Sequence, residues 1–166
     1  MKKRVWIALF GLFGLLAVEA QAQTNLWTSF EDLTDSLRKE RRPVLVFIHT
    51  DWCTYCKMMD LRTFSDASVA SKLQGKFYCV RLNAEETQPL TFLQRTYKFK
   101  PTGVKTGVHE LAQVLGTEKG KLSYPTTVFF DQNLQLQARV VGVLEAKRLE
   151  KTLELLTENP IEIGNK

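Results

Sequence analysis

Apolar residues recur along this chain with two different periods, and those periods predict its elements. Residues 44–49, Val-Leu-Val-Phe-Ile-His, form a short apolar run rich in β-branched side chains directly after Pro43, the pattern of a buried strand. Before it, Leu26, Trp27, Phe30, Leu33 and Leu37 recur at helical spacing, with Glu31 and Asp32 early and Arg38 and Lys39 late. A helix is therefore expected over 26–40, stopped by Pro43, which disfavours helical backbone in the residue before it. After the strand, Met58, Met59, Leu61, Val69 and Leu73 predict a second helix from about 54 to 74, closed by Gly75. Residues 76–82 read as a second strand and Thr126–Phe130 as a third. The turn Asp131-Gln-Asn133 then leads into a fourth over 136–143, antiparallel to the third. A last amphipathic helix over 145–158 puts Leu149, Leu153 and Leu156 on one face. Helix, strand, helix, strand, insert, hairpin, helix is the order of a single α/β domain with a mixed sheet and helices on both faces.

The candidate chemistry lies where the first strand runs into the second helix, at Asp51-Trp52-Cys53-Thr54-Tyr55-Cys56-Lys57. Two cysteines two residues apart at such a junction are a redox arrangement. The N-terminus of a helix carries partial positive charge and free N–H groups, which favour a thiolate over a thiol. The second thiol, three positions on, lies within reach to close a small disulfide ring. Only one other cysteine, Cys79, is present, too few for a disulfide scaffold.

Composition narrows the partners. Charged residues are 25% and hydrophobic ones 44%, an ordinary globular balance in a chain of 166 residues. The formal charge is +5, but Lys2, Lys3 and Arg4 sit in an N-terminal segment with the marks of an export signal. That segment has a basic start, an apolar run from Val5 to Val18, and small residues in Ala20-Gln21-Ala22. Residues 1–22 are therefore expected to be a signal peptide, with a mature domain over 23–166. The apolar run is short of the roughly 20 residues that span a bilayer as a helix, and no lipid-attachment cysteine follows it. Removal of residues 1–22 leaves a charge of about +3 and no basic run longer than two residues, which does not call for nucleic acid. The expected location is periplasmic or secreted, where disulfides form and persist.

The order of elements, with Trp52-Cys53-x-x-Cys56-Lys57 and Tyr124-Pro125-Thr126, resembles the thioredoxin superfamily. It is most similar to exported thioredoxin-like proteins and to the C-terminal domain of a periplasmic transmembrane electron carrier. The resemblance spans about residues 26–158, apart from an insertion. It implies a thioredoxin fold, with a cis peptide bond before Pro125 and the Tyr124 phenol facing whatever binds. It also implies that Cys53, nearer the helix start and more exposed, is the nucleophile. Cys56 then resolves the mixed disulfide, and Trp52 caps the site as a flat apolar surface. Packing alone would also account for Trp52, and a trans proline opening an edge strand is the lesser alternative for Pro125.

The departures from that family define the open questions. Thioredoxins carry a buried Asp six residues before the first cysteine; Phe47 stands there here. His49, on the same side of the strand, and Asp60, one helical turn after Cys56, are the candidate proton acceptors. A packed histidine and a solvated aspartate are the plainer readings of the two. Arg81 takes the place of a buried Lys in the family and needs an anionic partner, for which Asp60 and Glu85 are the candidates. Cys79 reads as a buried small hydrophobe. The interval from Asn83 to Tyr124 is longer than in thioredoxins, with the extra material mainly over 85–107. There Leu90–Leu93 and Thr96–Phe99 predict a β-hairpin around Gln94-Arg95. Such an insertion either supplies contacts and shielding beside the site or decorates a distant surface. Residues 108–115 read as a short helix with an exit loop over 116–120, and His109 as a capping or packing residue rather than a zinc ligand.

The leading expectation is dithiol–disulfide exchange with protein thiols, without metal or organic cofactor, by a monomer reset by a membrane or periplasmic electron donor. Thr54-Tyr55 matches neither the reducing Gly-Pro pair nor the oxidising Pro-His pair, and the resemblance favours reducing or isomerising work. A non-catalytic binding or chaperone-like module and a metal-delivery protein using the CxxC are the alternatives.

Overall fold

A four-stranded mixed sheet carries the site in the computed structural model, which describes residues 25–158. The expected signal segment over 1–22 lies outside the described residues. In chain order the elements begin with α1 (Phe30–Lys39), β1 (Val44–His49), α2 (Thr54–Met59), a π-helical turn at Asp60–Phe64, α3 (Ala67–Leu73) and β2 (Tyr78–Asn83). The insertion follows as β3 (Leu90–Phe92), β4 (Arg95–Tyr97), β5 (Phe99–Pro101) and β6 (Gly107–His109). Then come α4 (Glu110–Gly116), β7 (Thr117–Glu118), β8 (Lys121–Leu122), β9 (Thr126–Phe130), β10 (Leu136–Val141) and α5 (Ala146–Glu158).

The sheet order is β10-β9-β1-β2, with β1 parallel to β2 and antiparallel to β9. The central position of β1 explains its unbroken apolar run, because both of its faces are covered. Val44, Val46 and Ile48 join Phe30, Leu33, Leu111 and Leu115 on the side of α1 and α4. Leu45 and Phe47 join Cys56, Met59, Val69, Leu73, Leu149 and Leu153 on the side of α2, α3 and α5. The single-residue alternation of a strand thus sorts one hydrophobic run into two cores.

Two helices differ from the sequence expectation, for local reasons. The first begins at Phe30 rather than Leu26, because the Ser29 hydroxyl accepts from Asp32 N at 3.0 Å and caps it there. Trp27, expected in that helix, instead pairs in parallel with Cys79 along the outer edge of β2, where Thr28 N donates to Cys79 O at 2.7 Å. The helix expected over 54–74 is broken after the π turn. Asp66 restarts it by accepting from Ser68 N and Val69 N at 2.9 and 3.1 Å. Leu61, counted with the apolar positions by its spacing, lies in the π-helical turn and is 77% exposed.

The insertion is partly core. Its first hairpin, β3–β4, turns at Leu93-Gln94, both with left-handed backbone (φ 51° and 65°), as two-residue hairpin turns require. It plants Phe92 and Tyr97 in the α1-side core, with the Phe92 ring 6.0 Å from Phe30 and 5.6 Å from Phe130. A second hairpin, β5–β6, was not expected. It includes Val108 and His109, so α4 starts two residues later than its apolar pattern suggests. A small hairpin, β7–β8, replaces the exit loop expected over 116–120 and turns at Lys119-Gly120 (φ 50° and 76°). β9 has the expected bounds, and β10 ends at Val141 rather than 143.

Candidate redox site

β1 ends beneath a tight turn in which Cys53 N donates to Thr50 O at 3.2 Å. Cys53 is the N-cap of α2, and its sulfur accepts from Cys56 N at 3.1 Å. The two cysteines are joined in a disulfide with their Cα atoms 5.2 Å apart. The N–H aimed at the Cys53 sulfur and the dipole of the following turns both favour negative charge at that atom once the bond is reduced. The cysteines are 5% and 2% exposed, so the nucleophile expected to stand open is the more accessible one only by a narrow margin in the disulfide state.

Accessible apolar surface surrounds the sulfurs instead. Trp52 and Tyr55 are each 63% exposed. The Tyr124–Pro125 peptide bond is cis, and the Tyr124 ring packs against both cores. It meets Trp52 edge to face, with centroids 5.9 Å apart and planes at 78°. Trp52, expected as a flat cap, is an exposed aromatic surface beside Cys53, in contact with Tyr124. Lys57 is exposed on α2.

Beneath the motif, Phe47 fills the position of the missing acid. It is fully buried among Trp27 and Phe64, and pairs in register with Arg81 on one side and Thr127 on the other. Arg81 lies over the Trp27 ring at 4.5 Å and more distantly over Phe47 at 5.9 Å. It forms an ion pair with Asp60. Of the two acids considered for Arg81, Asp60 is thus the one brought to it. Glu85 goes to Trp52, whose indole Nε1 donates to both of its carboxylate oxygens. His49 stacks on Phe47 with ring centroids 5.7 Å apart and planes at 17°. Burial first, and then the charge of Arg81, hold its imidazole below the ordinary histidine range, with Asp51 and a Thr50 backbone hydrogen bond pulling the other way.

Two other groups lie outside this constellation. Cys79 is fully buried under the Trp27–Thr28 edge, and burial pushes its thiol up to about 12. His109 caps α4 by accepting from Leu111 N at its Nδ1, at 3.2 Å, and is itself fully buried. Among the described residues no group of three or more His, Cys, Asp or Glu could hold a metal ion. Sequence reasoning missed Trp27 as a neighbour of the site, and gave Glu85 to Arg81 as a candidate partner where the structure gives it to Trp52. Glu85 carried a signal, since it follows β2 by two residues and so leaves the sheet at the end where β1 delivers the CxxC. Trp27 carried none, because its spacing fitted the helix.

The family model for a thioredoxin-like domain matches residues 30–157. The chain is 32% identical over 139 residues to the thiol:disulfide interchange protein DsbD of Klebsiella pneumoniae subsp. pneumoniae, covering 81% of this chain and 20% of that protein. To the protein of the same name from Pectobacterium atrosepticum it is 29% identical over 125 residues, covering 74% and 18%. The chain thus spans about a fifth of the length of these curated relatives. Among solved structures, a thioredoxin-fold protein from Helicobacter pylori superposes with a TM-score of 0.56 at 14% identity, covering 76% of this chain and 75% of that one. A thioredoxin from Thermus thermophilus gives 0.55 at 17%, covering 84% and 97%. These two likenesses show the fold.

Proposed function

The chain belongs to the thioredoxin-like domain family, and on that premise we propose that it is an exported thiol–disulfide oxidoreductase acting on protein thiols in the reducing or isomerising direction. The observation that carries the reading is the Cys53–Cys56 disulfide at the start of α2, with the Cys56 N–H directed at the Cys53 sulfur. The relatives named as thiol:disulfide interchange proteins supply the reaction class, and the reducing or isomerising direction rests on the sequence resemblance alone. Export rests on the basic and apolar pattern of residues 1–22.

In the reducing direction the pair starts as a dithiol. The Cys53 thiolate attacks one sulfur of a substrate disulfide, the substrate S–S bond breaks, and the released substrate thiolate takes a proton. Cys56 then loses its proton and attacks the Cys53 sulfur. The mixed disulfide breaks, the intramolecular disulfide forms, and the second substrate thiol leaves. Two electrons and two protons pass to the substrate, and a dithiol donor at the membrane or in the periplasm must return them. No metal or organic cofactor is needed for these steps. Trp52 and Tyr124 would hold the substrate segment beside the cis bond.

For the Cys56 proton we favour His49 over Asp60. Asp60 is engaged by Arg81, whereas the His49 imidazole is held in its neutral form and so keeps one ring nitrogen free of a proton. The test is trapping. Cys56→Ser, reduced and mixed with a disulfide-bonded protein, should accumulate a mixed disulfide through Cys53, while Cys53→Ser should accumulate none and lose exchange. Full activity in Cys53→Ser would refute the mechanism and favour a binding module.

A further inference from the structure

Glu85, the first residue of the insertion, holds the indole of Trp52, the residue next to Cys53. Its two carboxylate oxygens lie 3.0 and 3.1 Å from the Trp52 indole Nε1. Its backbone is fixed in turn, because Glu85 N donates to Asn83 Oδ1 at 3.0 Å, and Asn83 Nδ2 donates to Asp51 Oδ1 at 3.4 Å. The loop leaving β2 is thereby tied at two points to the turn that carries the cysteines. The indole it holds meets the Tyr124 ring at a steep angle, with centroids 5.9 Å apart.

The carboxylate does more than anchor an indole. One N–H uses only part of its acceptor capacity, which is about four lone-pair sites, and Glu85 is exposed. Its charge reaches Tyr124, since after burial it is the second cause holding that phenol above its ordinary range. Asp51, also exposed and linked through Asn83, adds a second negative charge to the same lip. Lys57 is exposed on α2, and Arg81, four residues before Glu85, is engaged by Asp60.

We propose that Glu85 is a positioning and specificity residue, holding Trp52 as a fixed surface beside Cys53 and making that surface anionic, so that the site prefers disulfides whose cysteine is flanked by Lys or Arg. This inference rests on the exchange reading above and names the substrate class for the same site. An exposed charge pair of this kind changes a rate by about two- to fivefold, and salt screens it.

The test uses the reduced full chain and two synthetic peptides, each containing one disulfide. They are identical except for Lys or Glu on either side of the attacked cysteine. The wild-type protein is expected to react several-fold faster with the Lys peptide, mainly through KM, and the ratio should shrink at high salt. Glu85→Gln keeps an oxygen acceptor for the Trp52 indole and removes the charge, so the ratio should fall by about two- to fivefold while Trp52 fluorescence anisotropy is retained. Glu85→Ala should lose the ratio and the anisotropy together, and should slow both peptides. An unchanged ratio in Glu85→Gln, or equal wild-type rates with both peptides, would overturn the role of Glu85 alone. A wild-type protein that reacts with neither peptide would overturn the exchange reading and this inference with it.

Discussion

Replacing Arg81 by Met tests the account of the space left by the missing buried acid. The side chain keeps most of its length but loses its ion pair with Asp60 and its position over the Trp27 ring. Fully exposed pairs contribute about 0–1 kcal/mol, and loss of one partner from a buried pair costs about 3–5 kcal/mol. The Arg81 and Asp60 side chains are 35% and 30% exposed, so solvent screening discounts this pair well below the buried limit. The cation–π contact at 4.5 Å adds about 0.5–1 kcal/mol. The expected net loss is about 1.5–2.5 kcal/mol, measured by urea unfolding with the disulfide intact. A double-mutant cycle with Asp60→Asn should show the two changes to be less than additive, since they remove one interaction. The same variant should raise the His49 titration midpoint, followed by NMR, because the Arg81 charge is the second cause holding it down. A loss below about 0.5 kcal/mol with His49 unmoved would refute the arrangement.

Three further outcomes follow from the structure. Burial is the first cause that lowers both His49 and His109, so the unfolded chain takes up protons before the folded one does. The stability they contribute is complete above about pH 6.5 and is lost as pH falls through their folded values. His49→Asn should flatten part of that decline in urea midpoints between pH 5 and 8, and an unaltered slope would count against a buried neutral imidazole. Phe92→Ala should cost about 3–4 kcal/mol although it lies in the insertion, because its ring packs on Phe30 and Phe130; a loss under about 1 kcal/mol would mean that the hairpin is not core. Cys79, with its thiol near 12, should resist alkylation at pH 8 in the native protein, and Cys79→Ala should leave exchange rates unchanged.

The parts of this structure that could be read from sequence are those in which one local pattern decides the outcome. β1 is a continuous apolar run because both of its faces are covered, and β9 and α5 carry similarly unmixed signals. The cis bond at Pro125 followed from the resemblance and not from local chemistry. What escaped was decided by contacts distant in sequence or by caps that outrank periodicity. Ser29 and Asp66 set helix starts that the apolar spacing ran through, although both are the residue types expected at N-caps. The β5–β6 hairpin has no alternating pattern; it closes because Gly107 lets the Phe99 ring lie across it, where a Cβ would stand 2.2 Å from the ring. The site was half legible. Trp52, Cys53, Cys56 and Tyr124 came from motifs, and the choice of Asp60 for Arg81 was open until the fold sent Glu85 to Trp52.

The reduction potential of the Cys53–Cys56 pair, measured by equilibration with glutathione, bears most directly on the proposed activity and its direction. The account predicts a single two-electron transition on the reducing side, nearer about −270 mV than about −120 mV. A value near the oxidising end would contradict the reducing direction, and a pair that does not equilibrate at all would contradict thiol–disulfide exchange itself.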